Sequence, residues 1–180
     1  CVKFLNSSEL PLGELKQDIL SEVGRAYFYV GDYPRAKNFL DESFLMYEKR
    51  KKEDAGRNEN IRLLSFIGDL YGHGMLTGDF ERDIDKLEYL IGLLEGEIHK
   101  FSKKTSQKFL GEGYLYLSLF YIFLAQLKNE NKIWESIVKI CNQPDAENNL
   151  ANFNPYFLDS DLEKIYKKAY DLAQQGLNII

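Results

Sequence analysis

Apolar residues return every three or four positions along nearly the whole chain, and no sustained alternation of apolar and polar residues interrupts them. A period of this kind predicts an all-α protein, because it gives each helix one face to bury and one to wet. The beat Leu12, Leu15, Ile19, Val23, Ala26/Tyr27, Val30 predicts a first helix over residues 11–30, with Pro11 suited to its first turn and Gly31 ending it. A second starts near residue 34, with Asp32 as its cap, and carries Ala36, Phe39/Leu40, Ser43/Phe44 and Tyr47. A third over 60–76 turns Ile61, Leu64, Ile67/Gly68, Tyr71 and Met75 inward. A fourth over 80–101 does the same with Ile84, Leu87, Leu90/Ile91, Leu94, Ile98 and Phe101. Its Gly92 and Gly96 either admit a neighbouring backbone or lie on the surface.

The segment 108–128 is apolar and aromatic round most of its circumference, which predicts a central helix touched on several sides. Its apolar run, 114–127, is broken by Ser118 and Gln126 and stops at Lys128, short of the roughly 20 residues of a membrane span. A sixth helix is expected over 132–142, holding the single Trp134 and an inward Cys141. After a connection over 143–159, Ser160 and Glu163 form a capping box that opens a seventh helix over 160–176. The chain thus divides into a tether, 1–10, and one helical domain, 11–180. In that domain, pairs over 11–50, 60–101 and 108–142 are closed by a capping helix over 160–176.

Two antiparallel helices approach closely only where the side chains at their crossing are small, and Gly24, Ala36 and Ser43 supply such positions in the first pair. Val23-Gly24, Tyr27, Gly31-Asp32-Tyr33, Ala36, Phe39/Leu40 and Ser43 together resemble the tetratricopeptide repeat, a helix-turn-helix unit of about 34 residues. Ile67-Gly68 and Tyr71 repeat the first half of the motif. Gly78-Asp79-Phe80 then falls late, and Asp83 stands where the family prefers alanine. Leu117-Ser118 and Tyr121 form a degenerate third copy. The resemblance implies antiparallel pairs stacked as a short superhelix of about seven helices, whose first helices line a concave surface for a protein partner. By position, it implies partner-binding roles for Asp18, Ser21, Arg25, Phe28 and Tyr29 in the first unit, and for Arg62, Ser65, Asp69 and His73 in the second. The lysine and asparagine set with which some members hold a carboxyl terminus is absent.

A formal charge of -5 argues against sequence-independent binding to nucleic acid, which needs a basic surface. The basic run Lys49-Arg50-Lys51-Lys52 fits a helix C-terminus, where it complements the macrodipole. Cys1 followed by a short polar tether resembles the mature start of a bacterial lipoprotein. On that reading Cys1 carries the acyl anchor, and the protein sits in the cell envelope facing the periplasm or exterior; an arbitrary chain boundary is the alternative. His73 and His99 lack metal-ligand spacing, and no metal or other cofactor is expected. The carboxylate pairs Glu95/Glu97 and Asp159/Asp161 read as solvated charge, and no phosphate loop or nucleophile motif is present, so no catalytic residue is assigned. The expectation is a non-enzymatic, membrane-anchored scaffold. A small-molecule or lipid carrier is the alternative, with Tyr114, Tyr116, Phe120, Tyr121 and Phe123 round an apolar cavity.

Overall fold

The computed structural model describes residues 13–50, 58–100, 106–142 and 160–179. Six α-helices make up nearly all of these: α1 (Gly13–Tyr29), α2 (Tyr33–Arg50), α3 (Asn58–Thr77), α4 (Ile84–His99), α5 (Gln107–Cys141) and α6 (Ser160–Ile179). With no strand among the described residues, the fold is all-α. The tether with Cys1, Lys51 and Lys52 of the basic run, Phe101, the connection 143–159 and the side chain of Cys141 lie outside the described residues.

Local chemistry sets the helix ends. Gly31, at a φ of +80° that only glycine adopts readily, donates its N–H to the Phe28 carbonyl at 3.0 Å, and Asp32 donates to Tyr27 at 3.0 Å. The same Asp32 then caps α2, its Oδ1 accepting the Arg35 N–H at 3.2 Å. Asp83 does likewise for α4, accepting from the Lys86 N–H at 2.9 Å. That cap moves the start of α4 four residues beyond the expected position 80. Asp83 serves to begin a helix rather than to fill a small site within one.

Each helix packs against the next, and α1, α3 and α5 also touch in turn. Gln17 of early α1 meets Ser43 of late α2, and Gly111 of early α5 meets Gly176 of late α6, so consecutive helices run antiparallel. Glu22 meets Arg62, and Gly68 meets Phe120, so α1, α3 and α5 run parallel in one layer. The core is built from Leu40, Leu64, Ile67, Leu90, Leu94 and Phe120, all completely buried, each aliphatic side chain contributing about 1.5–3 kcal/mol.

Small residues fix the close approaches. A Cβ at Gly24 would lie 2.6 Å from Leu40 Cγ, Ala36 is fully buried, and the buried Ser43 hydroxyl donates to the Gln17 carbonyl at 3.0 Å. On α3, Gly68, Gly72 and Gly74 seat the rings of Phe120, Phe123 and Phe80; a Cβ at Gly72 would come within 2.0 Å of Phe123. Gly92 and Gly96 have nothing within 4 Å of an added Cβ, which makes them surface glycines.

Several expectations are corrected. The break foreseen between 128 and 132 is absent: α5 runs unbroken for 35 residues, because Asn129, Glu130, Asn131 and Lys132 include no glycine or proline to stop it. The pair foreseen over 108–142 is therefore a single helix, and its partner is α6. At this length α5 passes the size and apolarity test for a membrane span, yet half of its apolar window is buried within the fold, against α3, α4 and α6. On α1, the buried face is Gln17, Leu20, Ser21 and Gly24 rather than the apolar beat through Ile19 and Val23. Glu97 is not solvated: it is 2% exposed and accepts hydrogen bonds from the Tyr47 hydroxyl at 3.1 Å and from Asn60 Nδ2 at 3.2 Å. Burial and the Glu97 carboxylate push the Tyr47 phenol far above its ordinary pKa.

Candidate functional site

Where α1, α3 and α5 lie side by side, their edges enclose a pocket of about 450 Å³. Two arginines on neighbouring helices define it. Arg25 comes from α1 and Arg62 from α3, and the parallel packing of these helices brings them to one carboxylate, Glu22. Glu22 Oε2 accepts from Arg25 Nε at 2.9 Å and from its Nη2, while Oε1 accepts from Arg62 Nη2 at 2.6 Å. Aromatic rings back both guanidiniums. Arg25 stands 5.1 Å from the Phe66 centroid and 5.9 Å from Tyr29, and Arg62 stands 5.5 Å from Phe109 and 5.9 Å from Phe66. A guanidinium held beside aromatic rings is attracted to their faces and loses less rotamer freedom on binding than a free one.

The remaining wall comes from α5. Tyr116 meets Phe66 edge-on at 6.3 Å, and burial, with the nearby Tyr29 and Asp69, pushes its phenol up to about 12. It is therefore a protonated donor at neutral pH. Lys108 and Glu112, 3.9 Å apart, complete the rim. Three cationic side chains, Arg25, Arg62 and Lys108, thus meet the carboxylates of Glu22 and Glu112, with the partly buried Asp69 close to Tyr116. Ser65 lines the pocket, but its hydroxyl donates to the Ile61 carbonyl at 2.7 Å, within its own helix. Among the described residues, no group of three His, Cys, Asp or Glu side chains is placed to hold a metal ion.

The structure divides the residues that the sequence groups together. Arg25, Tyr29, Arg62 and Ser65 share the pocket. Phe28 and His73 contact each other edge-on at 6.1 Å, and both touch Tyr33, so they brace α1 against α3 beside it. Asp69 is partly buried near His73; desolvation raises its pKa, and the histidine offsets part of that rise. Ser21 is buried because it lies on the face of α1 that meets the fold, and Asp18 lies on the opposite, outer side. Neither belongs to the pocket. Sequence reasoning missed Glu22, Phe66, Lys108, Phe109 and Glu112, and named Tyr116 only for a carrier cavity. The signal was present: Arg62-x-x-x-Phe66 repeats the spacing of Arg25-x-x-x-Tyr29, and Phe109 and Tyr116 lie two turns apart on one face.

The aromatic set named for a carrier cavity is also divided. Phe120 and Phe123 fill the seats above Gly68 and Gly72, and Tyr121 donates to Glu95 at 2.9 Å; Tyr116 lines the pocket. In comparisons with known proteins, no protein family, no curated protein and no solved structure matches the chain.

Proposed function

We propose that the chain is a non-enzymatic protein-protein interaction scaffold of tetratricopeptide-like helix pairs, holding an extended acidic segment of a partner protein on the face formed by α1, α3 and α5. The observation that carries this reading is the Arg25 and Arg62 pair, fixed on aromatic rings and sharing the single carboxylate of Glu22. A ligand carboxylate takes Glu22's place or adds to it. An adjacent apolar side chain enters between Phe66, Phe109 and Tyr116, so charge-assisted hydrogen bonds and aromatic contact act together. The repeat architecture is supported by the packing order, in which each helix meets the next and every second helix runs parallel, and by the close contact of Gly24 with Leu40. On this reading α5 and α6 form the third pair, and α6 is not merely a cap.

Selection of a random peptide-display library on the immobilised protein tests the proposal. The expected outcome is enrichment of sequences with Asp or Glu beside an apolar residue. Arg62→Ala should weaken their binding about tenfold or more, as loss of a charged hydrogen-bond partner costs about 1.5–3 kcal/mol. Binding should also weaken with added salt. Enriched peptides indifferent to Arg62→Ala and Phe109→Ala, in variants with unchanged helical signal, would overturn it.

A further inference from the structure

Glu22 holds the place in the pocket that the carboxylate of a ligand would take, and the fold does not need it there. The buried face of α1 runs through Gln17, Leu20, Ser21 and Gly24, while Glu22 stands at the helix edge and also borders the groove on the outer side. Its side chain is 42% exposed, and those of Arg25 and Arg62 are each 37% exposed, so all three are in contact with water. Ion pairs at such exposure hold weakly. Phe28 and His73 join α1 to α3 without the carboxylate, through ring contact at 6.1 Å. A turn about the Glu22 side-chain bonds carries its charge from the arginines to the solvent on the outer side of α1.

We infer that Glu22 is the specificity-determining residue of this site, an internal occupant that a ligand carboxylate must displace. The ligand class is then an acidic segment with an apolar side chain beside its carboxylate, and a run of acidic residues alone is rejected. This inference rests on the reading of the pocket as a site for an acidic segment. When a carboxylate replaces Glu22, Arg25 Nε and Nη2 and Arg62 Nη2 exchange one set of charged hydrogen bonds for another. The exchange leaves charge with little net effect. Glu112, only 3.9 Å from Lys108, and Asp69, close to Tyr116, add negative potential that opposes a polyanion. What favours binding is the apolar surface that leaves water between Phe66, Phe109 and Tyr116, and a run of carboxylates has none to place there. Discrimination comes from what the wrong ligand fails to gain.

Fluorescence anisotropy on the full chain tests the inference with two labelled, C-terminally amidated peptides, one of alternating Asp and Leu and one of Glu alone. The parent should bind the first and show no Arg62-dependent binding of the second. Glu22→Gln preserves the side-chain shape and removes the carboxylate that Arg25 and Arg62 share. The alternating peptide should bind this variant about tenfold more tightly, because its carboxylate adds charged hydrogen bonds instead of exchanging them. The Glu peptide should begin to bind through Arg62. Glu22→Asp keeps the charge but is one methylene short of bridging both arginines, and its affinity for the alternating peptide should fall between the two. Each variant should keep the helical signal of the parent, since Glu22 lies outside the core. An affinity unchanged or weakened in Glu22→Gln overturns the inference, as does a Glu22→Asp variant identical to the parent, or a parent that already takes the Glu peptide through Arg62. The reading of the pocket itself fails by a different sign: no binding of either peptide by parent or variant, or binding indifferent to Arg62→Ala, removes that reading and the inference with it.

Discussion

At the scale of single residues, the side chains that carry most information are polar groups drawn out of water. Asp69 stands on α3 with desolvation raising its pKa and His73 partly offsetting the rise. A carboxyl group whose pKa is higher in the folded than in the unfolded chain binds more protons when folded over the interval between the two values. Folding stability from this group therefore falls as pH rises through that interval, and above it the buried charge is a standing cost. Asp69→Asn removes the charge and nearly preserves the shape. Chemical denaturation at pH 7 should find the variant at least as stable as the parent, with a gain of at most about 1 kcal/mol given the partial exposure. The difference should shrink as pH drops below the raised pKa. A variant less stable at pH 7 and unchanged at low pH would mean that the carboxylate holds a favourable ionic contact instead.

At the scale of helices, what the sequence made legible depended on whether local pattern or long-range packing made the decision. The caps Asp32 and the glycine turn at Gly31 were readable because their chemistry acts over a few residues. The buried stripes of α2, α3 and α4 were readable because one face of each meets a continuous core. The stripe of α1 misled: α1 stands at the end of its layer, and its strongest apolar beat is left outside while Gln17, Ser21 and Gly24 face inward. Glu97 was missed although it lies one turn beyond Leu94, on the same inward face, because a charged residue at a core position reads as surface until its partners are known. Within the pocket, Arg25, Tyr29 and Arg62 were legible from the resemblance; the α5 wall depended on how far the third layer helix comes alongside α3. Helix α5 itself offers a direct check. Were there a break near 130, Lys132 would open a new helix and proline would be welcome there. In the unbroken helix, Lys132→Pro removes an interior N–H and clashes with the preceding turn, at a cost of about 3 kcal/mol. Thermal melts of the two proteins should separate by several degrees, and equal melting temperatures would restore the two-helix reading.

At the scale of the whole molecule, the protein is held as one unit by contacts that join three helices at once, and Glu97 is the clearest. It reaches from late α4 to Tyr47 on α2 and Asn60 on α3, tying the second layer to the first where the chain passes from one helix pair to the next. Tyr47 is 2% exposed and Asn60 4%, so neither can turn to water if the carboxylate goes. Glu97→Ala would remove the acceptor that the buried Tyr47 phenol and the buried Asn60 amide share, and would open a void. The expected cost is about 3–5 kcal/mol, well above the median for a point substitution. Glu97→Gln keeps an acceptor oxygen in place for Tyr47 or Asn60 and should cost less than the alanine variant. The form of the loss matters as well as its size. Because the node lies between the first pair and the rest, the alanine variant should loosen α1 and α2 ahead of the α5–α6 pair, whose own interface does not involve Glu97. Hydrogen exchange read by mass spectrometry should then find protection lost over 13–50 before 107–141, whereas the parent opens both together. Uniform loss along the whole chain would mean that the helix pairs do not act as separable units, and would count against the repeat architecture as well as the role of this one carboxylate.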